Sequence, residues 1–254
     1  MKARTRRDLT IVEGIYGCCT GTQGTIGPPG TIVIACDSCG AVGEKDGDVL
    51  KLPTEHTATF TARVALTEVM CSGATPITIT CGASNEMEPT GKAFIAAINK
   101  ELANAGLSGT ILTGSTEENF QTCMTALSVT VIGVAQDGEL RFGQACGGDV
   151  ILLIGRPDVG AEVDLTSPGF YNEIKQLLKL PGVREIVPVG SKGVEYEAGG
   201  LAALNNMNIR YKETGVDYKK SAGPATCLLV LCSPDEEENI IGIYPNGLNI
   251  ASII

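Results

Sequence analysis

Three observations in the sequence predict an α/β (α+β) protein of two domains. Short β-branched runs alternate with amphipathic helical stripes through the first half of the chain. A glycine-rich joint, GQACGGD, then breaks the alternation, and a fresh series of apolar strands and helices follows it. The 254 residues amount to one large domain or two ordinary ones, and 43% apolar content is ample for sizeable cores. The joint places the boundary so that residues 1–145 form a first domain and 146–254 a second.

The elements follow in order. Residues 14–30, rich in Gly, Thr and Pro, read as a mobile loop. Residues 31–36 (TIVIAC) are a buried strand ending at Asp37. Residues 60–71 carry Ala62, Ala65, Leu66, Val69 and Met70 on one helical face, with Gly73 placed to stop the helix. Pro76 opens the strand ITITC, and residues 90–105 form a second helix with the stripe Phe94, Ile95, Ile98, Leu102 and Ala105. A strand at 110–113, the loop TGSTEEN and a strand at 125–135 complete the half, with a hairpin predicted at 136–139 through Asp137-Gly138. Beyond the joint, strands are predicted at 150–154, 185–189, 208–212 and 225–232, and helices at 171–180 and 198–206.

Charge removes several classes of function. A net charge of −10 repels a polyanionic backbone, and no Lys/Arg run interleaved with aromatics offsets it, which excludes nucleic-acid binding. A phosphate ligand must therefore arrive neutralised, which points to a divalent cation carrying a nucleotide. No stretch reaches the roughly 20 apolar residues of a membrane span. Lys2, Arg4, Arg6 and Arg7 precede a segment that Asp8 and Glu13 interrupt, so no signal sequence is read there and a cytoplasmic location is expected. In a reducing compartment the ten cysteines read as small buried hydrophobes. Cys36 and Cys39 form a CxxC, but no second pair exists and His56 is the one histidine, short of the four ligands of a structural zinc site.

The chemistry-bearing candidates are few. In TGSTEEN, Gly114, Ser115 and Thr116 leave the backbone open to close approach, and Glu117, Glu118 and Asn119 present hard oxygen ligands of the kind Mg²⁺ takes. The same string also fits a plain polar turn. Asp37 ends a buried strand, where α/β folds collect ligand-binding groups, though it could equally cap a helix. Glu68 interrupts an apolar helical stretch, either on its polar flank or held for a metal. Gly91-Lys92 lacks the first Gly and the Ser/Thr of a P-loop, no GxGxxG follows a strand, and no nucleophile elbow is present.

RVALTEVMCSGATP resembles the NLSDIAAMGAxP segment of the aminoimidazole ribonucleotide (AIR) synthase superfamily, which includes thiamine monophosphate kinase, selenophosphate synthetase and a hydrogenase maturation protein. VIACD is similar to the strand and metal-binding Asp of those enzymes, TGSTEEN to their GGDT segment, CGGDVILLIGRPDVG to the start of their second domain and YEAGGLAALN to their SGGL helix. The spelling ACDSCG, RVALTEV, NEMEPTG and TGSTEEN looks most like the alpha-ribazole kinase branch.

The resemblance implies an N-terminal mixed sheet whose domain forms a homodimer interface, a C-terminal α/β domain, and Mg-ATP as cofactor. It implies nucleotide contacts at Gly114, Ser115, Thr116 and Asn119, and metal ligands at Asp37, Glu68, Glu117 and Glu118. The implied reaction transfers a phosphoryl group to the 5′-hydroxyl of a neutral benzimidazole ribonucleoside. Phosphoryl transfer is mainly positioning and charge neutralisation, and no acid or base is assigned. The family's GGD is Thr113, Gly114 and Ser115 here, so its usual Asp is missing, and GDD has no counterpart in residues 8–30. Another ATP-dependent enzyme of the superfamily, or a non-catalytic nucleotide-binding module, are the alternatives.

Overall fold

The computed structural model describes residues 2–15, 30–136 and 138–254, with Ile15 described at the backbone only. Residues 16–29 hold most of the glycine-rich loop expected at 14–30 and lie outside that description. The chain divides into two compact units, the described residues of 1–70, 74–139 and 165–168 in one and those of 71–73, 140–164 and 169–254 in the other. Among the described residues no helix is long and apolar enough to cross a membrane.

The first unit is built on a six-stranded mixed sheet. A hairpin of β1 (Lys2–Arg6) and β2 (Leu9–Ile15) starts it, turning at Arg7 with φ 51°. β3 (Gly30–Gly40) follows, then the two-residue parallel pair β4 (Val42–Gly43) and β5 (Leu50–Lys51). Next come α1 (Thr54–Cys71), β6 (Thr75–Ala83), a wide helical turn at Met87–Gly91, α2 (Lys92–Asn104), β7 (Ile111–Ser115) and β8 (Ala126–Gln136). The strand order is β1-β2-β3-β8-β6-β7, with β7 parallel to β6 at the edge.

Sidedness sets what this sheet can do. Along β8 the odd-numbered residues are buried and the even-numbered ones half-buried, the period-2 signature of a sheet covered on one face. Gly133 marks how tightly α1 packs on the covered face, since a Cβ there would stand 2.4 Å from Val69 Cγ1. The two helices are joined by a buried ion pair, Arg63 Nε to Glu101 Oε1 at 2.7 Å, with the guanidinium 4.8 Å from the Phe60 ring centre. The other face carries Ile32, Ile34, Thr130, Ile132 and Val134, all half-buried.

Two departures from the sequence reading occur here. The hairpin predicted after β8 does not form: Glu139 N–H bonds back to Gln136 O at 3.1 Å, but no strand follows. Both edges of β8 are already taken by β3 and β6, so a returning strand has nothing to pair with. Asp137, the centre of that expected turn, lies outside the described residues. The β1–β2 hairpin, conversely, was read only as a failed signal sequence.

The second unit holds a five-stranded antiparallel sheet of order β10-β12-β9-β13-β11. Its elements are β9 (Val150–Gly155), α3 (Tyr171–Leu177), β10 (Val183–Pro188), α4 (Gly193–Leu204), β11 (Ile209–Tyr211), β12 (Cys227–Cys232), α5 (Pro234–Ile243) and β13 (Leu248–Ile253). Every residue of β12 is buried. Val194, Ala198 and Leu201 of α4 pack with Ile151, Leu153 and Leu229, while α5 lies against β9. The sequence reading passed over α5, although Pro234 at its first turn and Asp235, Glu236 and Glu237 beside it are a strong helix-start signal.

Candidate functional site

Three loops of the first unit are knotted together by buried polar side chains. Asn85, fully buried, donates to Thr122 Oγ1 at 2.6 Å and Met124 O at 2.8 Å, and accepts from Ala126 N–H at 2.8 Å. Its own carbonyl accepts the Glu117 N–H at 3.0 Å. Asp48 accepts from the Thr125 N–H and hydroxyl, each at 2.7 Å, and from the Lys45 N–H at 2.8 Å. Burial works against its charge, but these bonds outweigh it and hold the carboxyl below the usual range. Lys45 Nζ clamps both Glu86 oxygens at 3.0 and 2.8 Å. Burial would raise that carboxyl, yet Lys45 and the Thr90 hydroxyl bring it down to about 2.

The knot fixes the TGSTEEN loop. Glu118 Oε1 accepts the Met87 N–H and the Thr116 hydroxyl, both at 2.7 Å, and Glu117 Oε1 accepts the N–H groups of Asn119 and Phe120 at 2.7 and 3.2 Å. One oxygen of each carboxylate is thus committed to shaping the loop. Gly114 is obligatory where it stands, because a Cβ would meet the Cys81 carbonyl oxygen at 2.1 Å. Asn119 is exposed and contributes its N–H to the turn.

The other expected ligands sit elsewhere. Glu68 is buried on α1 with its carboxylate 3.7 Å from the Arg7 guanidinium. Asp37, half-buried on β3, shares a cross-sheet row with Val129, Cys81 and Gly114. Three strand spacings separate its backbone from Gly114, about 14 Å. Burial pushes its carboxyl up to about 6, against a bond from the Ser38 N–H and helped by the charge of Asp8. Asp8, absent from the sequence-derived set, is thus the acid whose field Asp37 feels. Among the described residues no three His, Cys, Asp or Glu side chains are gathered to hold a metal ion. Asp37, Glu68, Glu117 and Glu118 do not fit a four-carboxylate cage.

The CxxC has a simple structural fate. Cys36 and Cys39 lie three positions apart on an extended strand, on opposite faces and about 10 Å apart. Both are free thiols.

A groove of about 530 Å³ runs between α2 and the edge strand β7. Gly114, Ser115 and Thr116 line one end of it. Ile95 and Met87 form an apolar wall over the fully buried Phe94, and Asn99 lies one helical turn beyond Ile95 on the same stripe. Sequence reasoning took that stripe as core and missed Asn99. The available signal was Ile95 and Asn99 at helical spacing opposite a strand that carries no charge.

The mixed α/β architecture of this chain is shared with solved structures. Among solved structures, PurL of T. maritima complexed with AMPPCP is similar to this chain with a TM-score of 0.67, at 16% identity, over 88% of this chain and 40% of PurL. HypE of E. coli, a hydrogenase maturation protein, gives a TM-score of 0.66 at 16% identity over 88% of this chain and 79% of HypE. HypE in a HypE–HypF complex gives 0.64, again at 16% identity, over 87% of this chain and 84% of that one. At such identities the likeness is one of fold, and the chain spans about two fifths of the PurL it matches. No protein-family model and no curated protein matches the chain by sequence.

Proposed function

We propose that the chain is a Mg-ATP-dependent small-molecule kinase, acting on the 5′-hydroxyl of a neutral ribonucleoside of the alpha-ribazole kind. The observation that carries this reading is the groove beside β7, because three of the four residues expected to contact nucleotide line it. Its volume falls in the range of small-molecule sites, roughly 300–1,000 Å³. The PurL structures with AMPPCP, ADP and ATP support nucleotide use by this fold.

The chain's own residues have definable tasks. Gly114 admits a ligand close to the backbone, and the Ser115 hydroxyl can donate to a phosphate oxygen, whereas the Thr116 proton is held by Glu118. Magnesium, when bound, supplies the charge neutralisation that a −10 chain cannot. Mg²⁺ commonly takes one or two carboxylates and completes its shell with phosphate and water. Asp37, raised by burial and by the charge of Asp8, suits that smaller demand, and Glu117 and Glu118 keep a second oxygen each. A homodimer formed through the half-covered face of the first sheet, and a cytoplasmic location, complete the reading.

A second reading has its own support. Ser115 stands where the family's GGD has its Asp, and Glu117 and Glu118 are engaged in the loop, which favours a non-catalytic nucleotide-binding module. The likeness to PurL equally supports another ATP-dependent synthetase. Incubation of purified protein with Mg-ATP and a nucleoside panel that includes alpha-ribazole separates the three. A product heavier by one phosphate supports the kinase, ADP with a different product a synthetase, and ADP binding without turnover the module.

A further inference from the structure

We propose that Asn99 selects the base of the nucleotide, whose adenosine half lies in the groove between α2 and β7 with its phosphates leaving past Thr116. The inference rests on the nucleotide reading above and adds to it an orientation and a specificity residue.

The lining of the groove decides which part of a nucleotide it takes. Its side chains are apolar, sulfur-bearing, hydroxyl or amide, and none is charged. Nothing in it neutralises a phosphate, so the occupant is the neutral end of the molecule. Ile95 and Met87, both exposed above the buried Phe94, offer deformable apolar surface to a ring. Opposite them β7 is an edge strand, whose outward N–H and C=O groups have no neighbouring strand to pair with. One wall is apolar and the other hydrogen-bonds, which suits a planar heterocycle with a polar rim.

Asn99 gives the rim its identity. Its side chain is exposed on the groove stripe and its amide has no hydrogen-bond partner among the described residues. An amide presents one acceptor and two donors, which matches the adjacent N6 amine and N7 of adenine. Guanine presents O6 and N7, two acceptors, and would leave the amide oxygen unpaired. The polar exit is at the opposite end, where the Thr116 hydroxyl and the Met87 N–H meet at Glu118. A base near Asn99 therefore sends its phosphates toward the TGSTEEN loop.

The test uses the whole chain with Mg-ADP and Mg-GDP, read by calorimetry and by methyl NMR of ¹³C-methionine protein. Met87 lines the groove, whereas Met207 lies in the second unit and serves as the internal control. ADP is expected to move the Met87 methyl and leave Met207 in place. Asn99→Leu should weaken ADP about tenfold, with GDP changed by less than about twofold. Ile95→Arg, which fills the groove, should remove the Met87 response and most of the affinity. Both positions are exposed, so an unchanged melting temperature checks the fold. ADP bound with undiminished affinity by both variants, with Met87 unmoved, overturns the groove assignment and leaves the nucleotide reading standing. Wild-type protein that binds neither nucleotide overturns both.

Discussion

β8 and β12 are interior strands of their respective sheets, and they are finished differently. β12 is buried at every position, with α4 packed against it. β8 is buried at every second position, and its other face carries isoleucine, valine and threonine at partial exposure. The second unit thus completes its own core, whereas the first leaves one sheet face available and stabilises its loops through buried polar groups. The candidate groups fall on the polar side of that contrast: the groove, the TGSTEEN loop and Asp37 all belong to the first unit.

The largest expected effect comes from the polar means of holding the first unit. Arg63→Ala takes the cation away from the buried Glu101 carboxylate and should destabilise by about 3–5 kcal/mol in urea titrations. Arg63→Met together with Glu101→Leu should recover most of that loss, and failure to recover would show that the pair does more than fill space. Next, Leu229→Ala on β12 should cost about 2–5 kcal/mol, against under about 1 kcal/mol for Ile132→Ala on the half-covered face of β8. Ile132→Arg should shift sedimentation toward monomer if that face pairs with a second copy. An unaltered sedimentation profile would remove the dimer reading from this surface.

Two acids test the loops and the sheet end with opposite signs. Glu86 titrates at about 2 when folded and near 4.5 otherwise, so its stabilisation is complete above about pH 4.5 and fades as pH falls toward 2. With its side chain 29% exposed, solvent screening reduces the contribution to about 1–2 kcal/mol, which Glu86→Gln should remove at pH 7. Asp37 is raised to about 6 from 3.8, so the folded state takes up its proton first. Stability should rise as pH falls from about 7 to about 4, and Asp37→Asn should raise the melting temperature at pH 7 by about 2–4 °C in metal-free buffer. A lower melting temperature would mean that Asp37 already has a cationic partner.

Periodicity made much of this architecture legible. The stripes Ala62/Leu66/Val69 and Phe94/Ile98/Leu102 and the β-branched runs of β3, β8 and β12 gave helices and strands at the positions observed, because each buries one face or both. The start of α1 reads late in the sequence, at residue 60 for a helix that begins at Thr54, since its first turn is polar and has no stripe. Convergence was less legible. Asp37 and Gly114 do share a row, but the sheet order that places β8 and β6 between them is a long-range property with no local signal. Glu68 looked like a stranded carboxylate because Arg7, its partner, is remote in sequence. Asn85 carried no mark at all, since a buried amide that serves three loops is spelled like any turn residue.

That one amide has a kinetic meaning. Because Asn85 holds residues 117, 122, 124 and 126 through four hydrogen bonds, the segment that leaves the groove at Thr116 is preorganised, and little chain entropy remains there to be lost when a guest enters. Association should then run at the pace of ordinary diffusion-limited docking, and affinity should be governed by how long the guest stays.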